Sequence, residues 1–487
     1  MPFPHKDLRE FIGDLESEGE LTKVTEEVDW DLEVGAIARR LCELTLGRSV
    51  KAGGQRAALF EKIRGYPEGF RICTATLANY KRFAMMIGHK DPDVATVREL
   101  QDLYLEKMGR STKPNIIGEA PCKENRMIGD EVDLYKFPAP MIHDGDGGRY
   151  LCTFHIVASK DRNSGWINWG MYRAMIHDRR SLSIYFSPGQ QGLMMYQEYE
   201  ARNEAMPLAI AIGSDVISLF ISGCKLPVGI SEMDTAGGLR GRPLDVVRCE
   251  TNDLLVPASS EIVLEGFMPP HARLWEGPFG EYPGYAATPR DRDRPVFIIQ
   301  AITFRDNPIL TMSNMGVPVD EGHLSYSIAW AAEFKKYFAQ NGLPVVDVNI
   351  LPTSSAQLVV ISTKTPRAGI AHLYASAAEL SWRLVGFNIL VVNDDVDVFN
   401  PAEVVHVWAT RVHPDRIYPR KGPSNPLFAW GNPEERVSAT APAILYDATW
   451  PVEWPSEFVP RKSSFRTIYP QEVQEKVERK WIQYGFE

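Results

Sequence analysis

The segment LCTFHIVAS, residues 151–159, is the first of several short apolar stretches that decide the fold. Four more follow it in the middle of the chain: LSIYF (182–186), LAIAI (208–212), DVVR (245–248) and VFIIQAITF (296–304). Glycine-rich turns lie around and between them, such as GDGG (145–148), GGLRG (237–241) and GPFG (277–280). Many short strands joined by such turns are typical of a β-barrel or a β-sandwich rather than of a doubly wound sheet.

The regions on either side of these strands alternate helical and strand-like patterns. Near the N-terminus, one buried helix face is predicted from the spacing of Leu8, Phe11, Ile12 and Leu15. Strand-like segments follow at 58–60 and 71–74. After the middle region, a helix is predicted over 324–341, and then come strands at 345–351, 357–363 and 388–392 with a helix at 370–384.

The C-terminal tail has an amphipathic pattern. One face of a helix over 471–484 would carry Val473, Val477, Trp481 and Tyr484, and Gly485 can end that helix. Such a helix either docks on its own domain or forms a subunit interface.

These patterns divide an α+β chain into four parts. The polar, proline-containing stretch 110–124 marks the first boundary. We predict an N-terminal α/β domain (1–115), a β domain (116–320), a linker helix (321–341) and a C-terminal α/β domain with an oligomerisation tail (342–487).

Charge and composition narrow the classes of partner. The 487 residues include 63 acidic and 53 basic side chains, for a formal net charge of −10. There is no basic run suited to a phosphate backbone, which argues against a nucleic-acid partner. No stretch approaches about 18 uninterrupted apolar residues and the N-terminus lacks the apolar core of a signal peptide, so we expect no membrane partner. Six cysteines without a CxxC pair indicate free thiols in a cytoplasmic protein.

Generic catalytic motifs are missing from the sequence. It contains no GxGxxG opening a helix, no P-loop, no HExxH and no GxSxG. This argues against a Rossmann dehydrogenase, a P-loop enzyme and a zincin.

One loop carries two carboxylates that could act together. In EGPFGEYPGY (276–285), Glu276 and Glu281 lie five residues apart among glycines and prolines, whose backbone can bring two side chains to one point. Two nearby carboxylates raise each other's pKa, and an arginine between them lowers the pKa of one selectively. From the residues alone, they could equally be two exposed loop carboxylates.

Two further clusters are less specific. Arg173 ends the segment NWGMYR (168–173), where an arginine is more often part of an ordinary ion pair. Glu232 lies in ISEMD, in an otherwise apolar neighbourhood, and is a candidate oxygen ligand for a hard divalent cation.

A resemblance that covers nearly the whole chain rests on four specific segments: LPVGISE (226–232), TNDLLVPASSEIVLEG (251–266), EGPFGEYPGY (276–285) and VNDDVDVFNP (392–401). With EVDWDLEVGAI (27–37) and the tail EKVERKWIQYGF (475–486), they resemble the UbiD-like decarboxylases, which use prenylated flavin mononucleotide (prenylated FMN). The resemblance implies a UbiD-like fold with a central split β-barrel that binds the flavin between N-terminal and C-terminal α/β segments.

By position, the resemblance assigns a catalytic trio. Glu281 would be the proton donor, with a pKa raised by burial, and Arg173 would bind the substrate carboxylate and be oriented by Glu276. The cofactor contacts it implies are Thr153, Asn168, Gly170, Met171, Tyr172, Arg173, Gln190, Gln191, Ser222 and Glu232.

The implied metal site departs from the family pattern. Asn168 and Glu232 match two ligands of Mn²⁺ or Mg²⁺, usually with a monovalent cation such as K⁺ nearby. Relatives usually place His as the third ligand, whereas SPGQQG puts Gln191 there, a neutral oxygen donor suited to hard cations. Asn388 stands where many relatives carry a Lys near the cofactor phosphate. Both changes remove positive or nitrogen-donor character from that side of the site.

The resemblance implies a carboxy-lyase that decarboxylates an aromatic, heteroaromatic or other α,β-unsaturated acid without oxidation and in principle reversibly. Side chains cannot accept the electron pair that CO₂ leaves behind, so a cofactor must do so. A flavin prenyltransferase would supply that cofactor, and the chain would form a homodimer or a higher homo-oligomer.

Three points stay open at the level of sequence. His323, just before the helix predicted over 324–341, could form a hydrogen bond with a phenolic hydroxyl of the substrate. Alternatively, backbone groups at the start of that helix could be its hydrogen-bond partners. The protein could act as a phenolic carboxylase in the reverse direction. It could also be a flavin-binding protein or subunit of the same fold that does not decarboxylate.

Overall fold

The computed structural model describes residues 3–44, 56–287, 293–380, 387–420, 431–438, 440 and 442–486. Helices and sheets both contribute in each third of the chain, as the predicted α+β class requires. None of the helices within these ranges combines the length and apolarity needed to span a membrane.

The N-terminal region packs helices beside a small sheet. Its elements are α1 (Leu8–Ser17), β1 (Leu21–Val28), α2 (Glu33–Glu43), β2 (Ala57–Ile63), β3 (Arg71–Thr74), α3 (Tyr80–Ile87) and α4 (Val97–Met108). The four apolar residues predicted to share one face of α1 are all buried. The helix begins after Asp7, whose side chain accepts a hydrogen bond from the Glu10 N–H.

The middle region contains most of the strands. They are β4 (Asn115–Ile117), β5 (Asn125–Ile128), β6 (Tyr150–Cys152), β7 (His155–Lys160), β8 (Ile167–Gly170), β9 (Ala174–Ile176), β10 (Ser181–Ile184), β11 (Met206–Ile212), β12 (Asp245–Arg248), β13 (Leu255–Pro257), β14 (Ile262–Met268), β15 (Arg273–Trp275), β16 (Phe279–Gly280), β17 (Ala286–Ala287), β18 (Asp293–Phe304) and β19 (Ile309–Met312). Three helices lie between them, α5 (Gln191–Glu200), α6 (Val216–Gly223) and α7 (Glu232–Arg240), and α8 (Glu321–Gln340) follows.

Ten of these strands form one antiparallel sheet. Neighbouring strands follow the order β6-β9-β10-β18-β14-β11-β7-β8, and β5 and β15 also pair with β18. β6 and β8 stand at the two ends of this path, and no pairing joins them within the described ranges, so the barrel is split at this edge. The last strand, β19, leaves the middle region and completes the N-terminal sheet in the order β1-β2-β3-β19.

Both faces of the ten-stranded sheet are buried. Along β11, Leu208, Ile210 and Ile212 belong to one apolar cluster, while Ala209 and Ala211 belong to the other. This is the two-residue alternation of a strand, with each face covered by a different part of the chain. All six cysteines are buried and free, as the sequence predicts.

The C-terminal region is a second α/β layer. Its elements are β20 (Val345–Ile350), β21 (Leu358–Thr363), α9 (Ile370–Leu380), β22 (Asn388–Asn393), α10 (Pro401–Arg411), β23 (Ile417–Arg420), α11 (Pro433–Ser438), β24 (Ala443–Ala448), α12 (Phe465–Ile468) and α13 (Gln471–Arg479). The sheet order is β20-β21-β22-β24-β23. The predicted strands are therefore confirmed, and α8 contributes Phe334 and Phe338 to the core on one face of this sheet.

The tail differs from a helix docked on its own domain. Neither α12 nor α13 contains a buried residue. Instead, Val473 and Trp481 are 37% and 43% exposed. The helix predicted over 471–484 is shorter in the structure and ends at Arg479, and Gly485, with a left-handed φ of 88°, instead follows a separate 3₁₀ turn at Ile482–Tyr484.

Candidate active site

Two short connections cross the split of the barrel. Only Thr153 and Phe154 join β6 to β7, and only residues 171–173 join β8 to β9. Because β6 and β9 lie at one end of the strand path and β7 and β8 at the other, each connection must pass from one edge of the split to the other. Thr153 and Arg173, both predicted site residues, are therefore placed at the same opening.

The catalytic trio predicted from the sequence comes together at this opening. Arg173 donates from Nε to Glu276 Oε1 at 2.8 Å and from Nη2 to Glu276 Oε2 at 2.9 Å. Its third nitrogen, Nη1, contacts Glu281 Oε1. Glu276 is 0% and Glu281 3% exposed, so these are not exposed loop carboxylates. The fork of one guanidinium thus holds one glutamate with two bonds and contacts the other with its remaining edge.

Sequence reasoning missed a fourth member of this cluster. Tyr150, the first residue of β6, donates its hydroxyl to Glu276 Oε1 at 2.6 Å. Burial raises the pKa of Glu276, but the Arg173 charge and the hydrogen bonds from Arg173 and Tyr150 outweigh it and hold that pKa below its usual range. Glu276 is therefore a fixed anion.

Two aromatic rings enclose the guanidinium of Arg173. Its central carbon lies 4.2 Å from the ring centre of Tyr185 and 5.0 Å from that of Phe279. Cation–π contacts of this kind favour a planar guanidinium held in one orientation. Tyr185 directly follows β10, the neighbour of β9 in the sheet, so the barrel also fixes the arginine.

The loop that carries both glutamates depends on glycines for its backbone conformation. Gly277 and Gly284 have φ angles of 81° and 90°, which other residues rarely adopt. A Cβ at Gly280 would lie 2.6 Å from the ring of His143, so only glycine fits at that position. The glycines flagged by the sequence thus let the loop fold back tightly beside Arg173.

The predicted metal ligands come from three elements that meet at β8. Asn168 lies in β8, Gln191 begins α5, and Glu232 begins α7; both helices contact β8. Asn168 and Glu232 are each 1% exposed. Gln191 donates from Nε2 to the Leu226 carbonyl at 2.9 Å, which fixes its amide and leaves Oε1 as the acceptor atom of the side chain.

Glu232 is a buried acidic side chain suited to binding a cation. Its Oε2 accepts from the Trp169 N–H at 3.0 Å, and no ion pair reaches it from the described residues. Burial raises its pKa to about 8. No group of three or more His, Cys, Asp or Glu in the described ranges could hold a metal. An ion here would take amide and carboxylate oxygens, a donor set that fits a hard divalent cation.

The other predicted cofactor residues line the same edge. Thr153 is buried and its hydroxyl accepts from the Ser313 N–H at 3.1 Å. Ser222 donates to the Leu219 carbonyl of its own helix at 2.8 Å. Gln190 accepts from the Ser187 N–H at 2.6 Å. The segment from Gly170 to Tyr172 follows β8, and the Tyr172 hydroxyl accepts from the N–H of the residue after Gln191.

The two remaining predicted positions are His323 and Asn388. His323 is buried in the first turn of α8, where both ring nitrogens have partners within the chain. Of the two alternatives for His323, this arrangement is the one in which backbone groups, rather than a substrate hydroxyl, bond the ring. Asn388 begins β22, and its side-chain oxygen accepts from the Ile444 N–H at 3.0 Å.

Comparison with known proteins gives a consistent result. Three domain models of the 3-octaprenyl-4-hydroxybenzoate carboxy-lyase (UbiD) family match in order: the N-terminal domain at residues 12–104, the Rift-related domain at 115–318 and the C-terminal domain at 326–436. The pyrrole-2-carboxylic acid decarboxylase of Pseudomonas aeruginosa is 31% identical over 99% of this chain and 98% of its own.

Solved structures agree with the sequence comparison. The vanillic acid decarboxylase of Sedimentibacter hydroxybenzoicus in its closed form matches with a TM-score of 0.84 and 30% identity, over 98% of both chains. The UbiD-class enzyme HmfF of Pelotomaculum thermopropionicum in complex with FMN matches with a TM-score of 0.80 and 28% identity, over 94% of this chain and 97% of HmfF. An evolved dimeric form of HmfF in complex with prenylated FMN has a TM-score of 0.77, at 28% identity and over 93% of this chain and 97% of that one.

The split β-barrel, the order of the three regions and these matches over nearly full length lead to one conclusion: this chain is a carboxy-lyase that belongs to the UbiD family.

Proposed function

We propose that this protein decarboxylates an aromatic or heteroaromatic acid, or another α,β-unsaturated acid, with prenylated FMN and a divalent metal. The observation that carries the proposal is the buried cluster in which Arg173 holds Glu276 by two bonds and contacts Glu281. The relatives named as pyrrole-2-carboxylic and vanillic acid decarboxylases support the substrate class.

The chain's own residues bind the substrate and move one proton. Glu276 stays ionised and keeps Arg173 charged and in position, so the Nη1 edge can pair with a substrate carboxylate. When CO₂ leaves, the carbon that carried it must gain a proton, and Glu281 is the carboxyl group beside that edge. Glu281 then recovers its proton from solvent, and the reaction has no net oxidation or reduction.

A bound prenylated FMN would supply the electron sink that side chains lack. The residues that would hold it are those at the split of the barrel: Thr153, the segment Asn168–Arg173, Gln190 and Ser222. Asn168, Gln191 and Glu232 would hold Mn²⁺ or Mg²⁺ on the phosphate side, because amide and carboxylate oxygens are the donors that a hard cation prefers.

The test is turnover by protein that carries the cofactor. The chain should be co-expressed with a flavin prenyltransferase, and CO₂ release measured with pyrrole-2-carboxylate, vanillate, ferulate and an aliphatic enoic acid. We expect turnover with at least one aromatic or heteroaromatic acid. Absence of CO₂ with all four acids, in protein whose prenylated FMN content is verified by mass spectrometry, would contradict the proposal.

The same protein tests the reverse direction. Turnover in ¹³C-bicarbonate should place label in the carboxyl group of unreacted acid, since one site serves both directions. Unreacted acid without label would show that CO₂ release is effectively irreversible in this protein.

The proposed role of Gln191 as a metal ligand leads to a prediction about metal retention. Gln191→Ala should lose metal during exhaustive dialysis more readily than wild type, whereas Gln191→His should retain at least as much, because imidazole is a stronger donor than a neutral amide. Elemental analysis of the dialysed proteins measures both, and Gln197→Ala, at an exposed position of the same helix α5, is the control. Equal metal content in wild type, the Ala variant and the His variant would show that Gln191 is not a ligand.

We propose that a second copy of the chain covers the tail. Apolar side chains are exposed along it: Phe465, Ile468, Tyr469, Val473, Trp481 and Ile482. Such a row of exposed apolar side chains is typical of a subunit interface.

Deletion of residues 465–487 is therefore expected to lower the oligomeric state to monomer. Size-exclusion chromatography with light scattering measures the mass of both forms. The charge-neutral control is the exposed pair Leu373→Ser and Leu380→Ser on α9, which should leave the mass unchanged. An unchanged mass after the deletion would place the interface elsewhere.

A further inference from the structure

The turn that carries Glu281 is held on both sides by side chains outside the catalytic trio. On its N-terminal side, the Gly280 N–H donates to Asp146 Oδ1 at 3.0 Å, and Asp146 is in turn held by His143. On its C-terminal side, the Tyr282 carbonyl accepts from His323 Nε2 at 2.6 Å. The residues on both sides of Glu281 are therefore held by side chains from outside the loop.

The hydrogen bond between His323 and the loop has a defined donor and a defined acceptor. A carbonyl oxygen can only accept, so Nε2 must carry the ring proton. Asp320 holds the other side of the ring: its backbone nitrogen lies 3.3 Å and its Oδ1 3.1 Å from Nδ1, and its side chain accepts from the His323 N–H at 3.0 Å. This reciprocal cap locks the imidazole to the start of α8. His323 is only 2% exposed, so the surrounding protein holds the ring in this orientation and the ring does not turn towards solvent.

We propose that His323 is a positioning residue for Glu281: by binding the Tyr282 carbonyl, it anchors the turn of the proton donor to the first turn of α8. The inference rests on the proposed decarboxylase function. It differs from a role in binding the substrate, because both ring nitrogens are already bonded within the chain.

Two substitutions separate the roles of the two nitrogens. The side-chain oxygen of Asn lies near the position of Nδ1, so His323→Asn keeps the helix cap but cannot reach Tyr282. The longer Gln places an N–H near the position of Nε2, so His323→Gln keeps the donor. His323→Phe, with a ring but no N–H, is the second variant if the Asn variant does not fold. His5→Asn is the matched control, since His5 is also 2% exposed and its Nε2 lies 3.0 Å from Asp14 Oδ2.

We expect His323→Asn to lower kcat by about 10- to 100-fold, because small displacements of a reacting group have effects of that size. KM and flavin content should stay within about twofold of wild type. His323→Gln should recover most of the loss, and His5→Asn should show none. Amide hydrogen exchange should be faster in peptides covering 276–287 of the Asn variant and unchanged in the Gln variant.

Other outcomes overturn the inference. Wild-type kcat in the Asn and Phe variants, or equal losses in the Asn and Gln variants, would show that the bond to Tyr282 does not position Glu281. A loss seen with hydroxylated acids but not with matched acids that lack the hydroxyl would assign His323 to the substrate instead. If wild-type protein with bound cofactor decarboxylates nothing, the proposed function fails, while the exchange measurement still tests the anchor.

Discussion

Replacing Glu281 with Gln is expected to lower kcat by about 10²- to 10⁴-fold, the usual contribution of a positioned proton donor. The amide keeps the shape of the side chain but has no acidic proton to transfer. Prenylated FMN content should match that of wild type, because Glu281 lies in the 276–285 loop and not among the residues proposed to hold the cofactor. CO₂ release in protein of known flavin content measures the effect.

A second buried glutamate provides the control for that substitution. Glu265 in β14 is 0% exposed and accepts from the N–H groups of Glu250 and Thr251. Glu265→Gln therefore makes the same replacement at another buried carboxyl group, away from Arg173. Its kcat should remain near wild type. Turnover by Glu281→Gln at the wild-type rate, with flavin occupancy confirmed, would remove Glu281 from the mechanism.

Local sequence patterns predicted the regular elements well. Helix α1 is set by a spacing of three and four residues, and the C-terminal strands by runs of β-branched side chains. Pairings between distant segments were not predictable in this way. β19 completes the N-terminal sheet although it follows the middle region in sequence, and the segment 151–159 is two strands interrupted at Thr153. The spacing of apolar residues within one segment does not show which other strand that segment will pair with.

The site shows the same limit. The family resemblance pointed to Arg173, Glu276 and Glu281, and the structure brings these side chains into contact. Their supports were missed, because Tyr150 lies 126 residues from Glu276 and only the strand order of the barrel brings them together. An aromatic residue at the start of a strand is most often part of the hydrophobic core, so the sequence did not indicate that the Tyr150 hydroxyl bonds a glutamate of the site. His323 was noticed, but its bond to a backbone carbonyl cannot be inferred from sequence.

Arg173→Ala is expected to lower kcat/KM by more than tenfold, or about 1.4 kcal/mol of transition-state stabilisation. The substrate carboxylate would lose its partner, and Glu276 would be left buried with Tyr150 as its hydrogen-bond donor. Removing one partner of a buried ion pair typically costs about 3–5 kcal/mol of folding free energy. The melting temperature should therefore fall as well, which differential scanning calorimetry measures.

The pH dependence of that loss of stability follows from Glu276. In wild type, Arg173 holds the pKa of Glu276 below its usual range; without Arg173, burial should raise it instead. Above the raised pKa the variant must bury an uncompensated charge, and as the pH falls through it the carboxyl becomes neutral. The difference in melting temperature should therefore be larger at pH 8 than at pH 5.

Arg173→Lys is the matched control, because it keeps a positive charge but lacks the fork that reaches Glu276 by two bonds and Glu281 by a third nitrogen. We expect its stability to lie between those of wild type and the Ala variant, and its kcat/KM to stay low, since one ammonium cannot orient Glu276 and the substrate together. A loss below tenfold in Arg173→Ala would contradict the assignment of the trio. Full activity in Arg173→Lys would show that charge alone, without the planar geometry, is what the site requires.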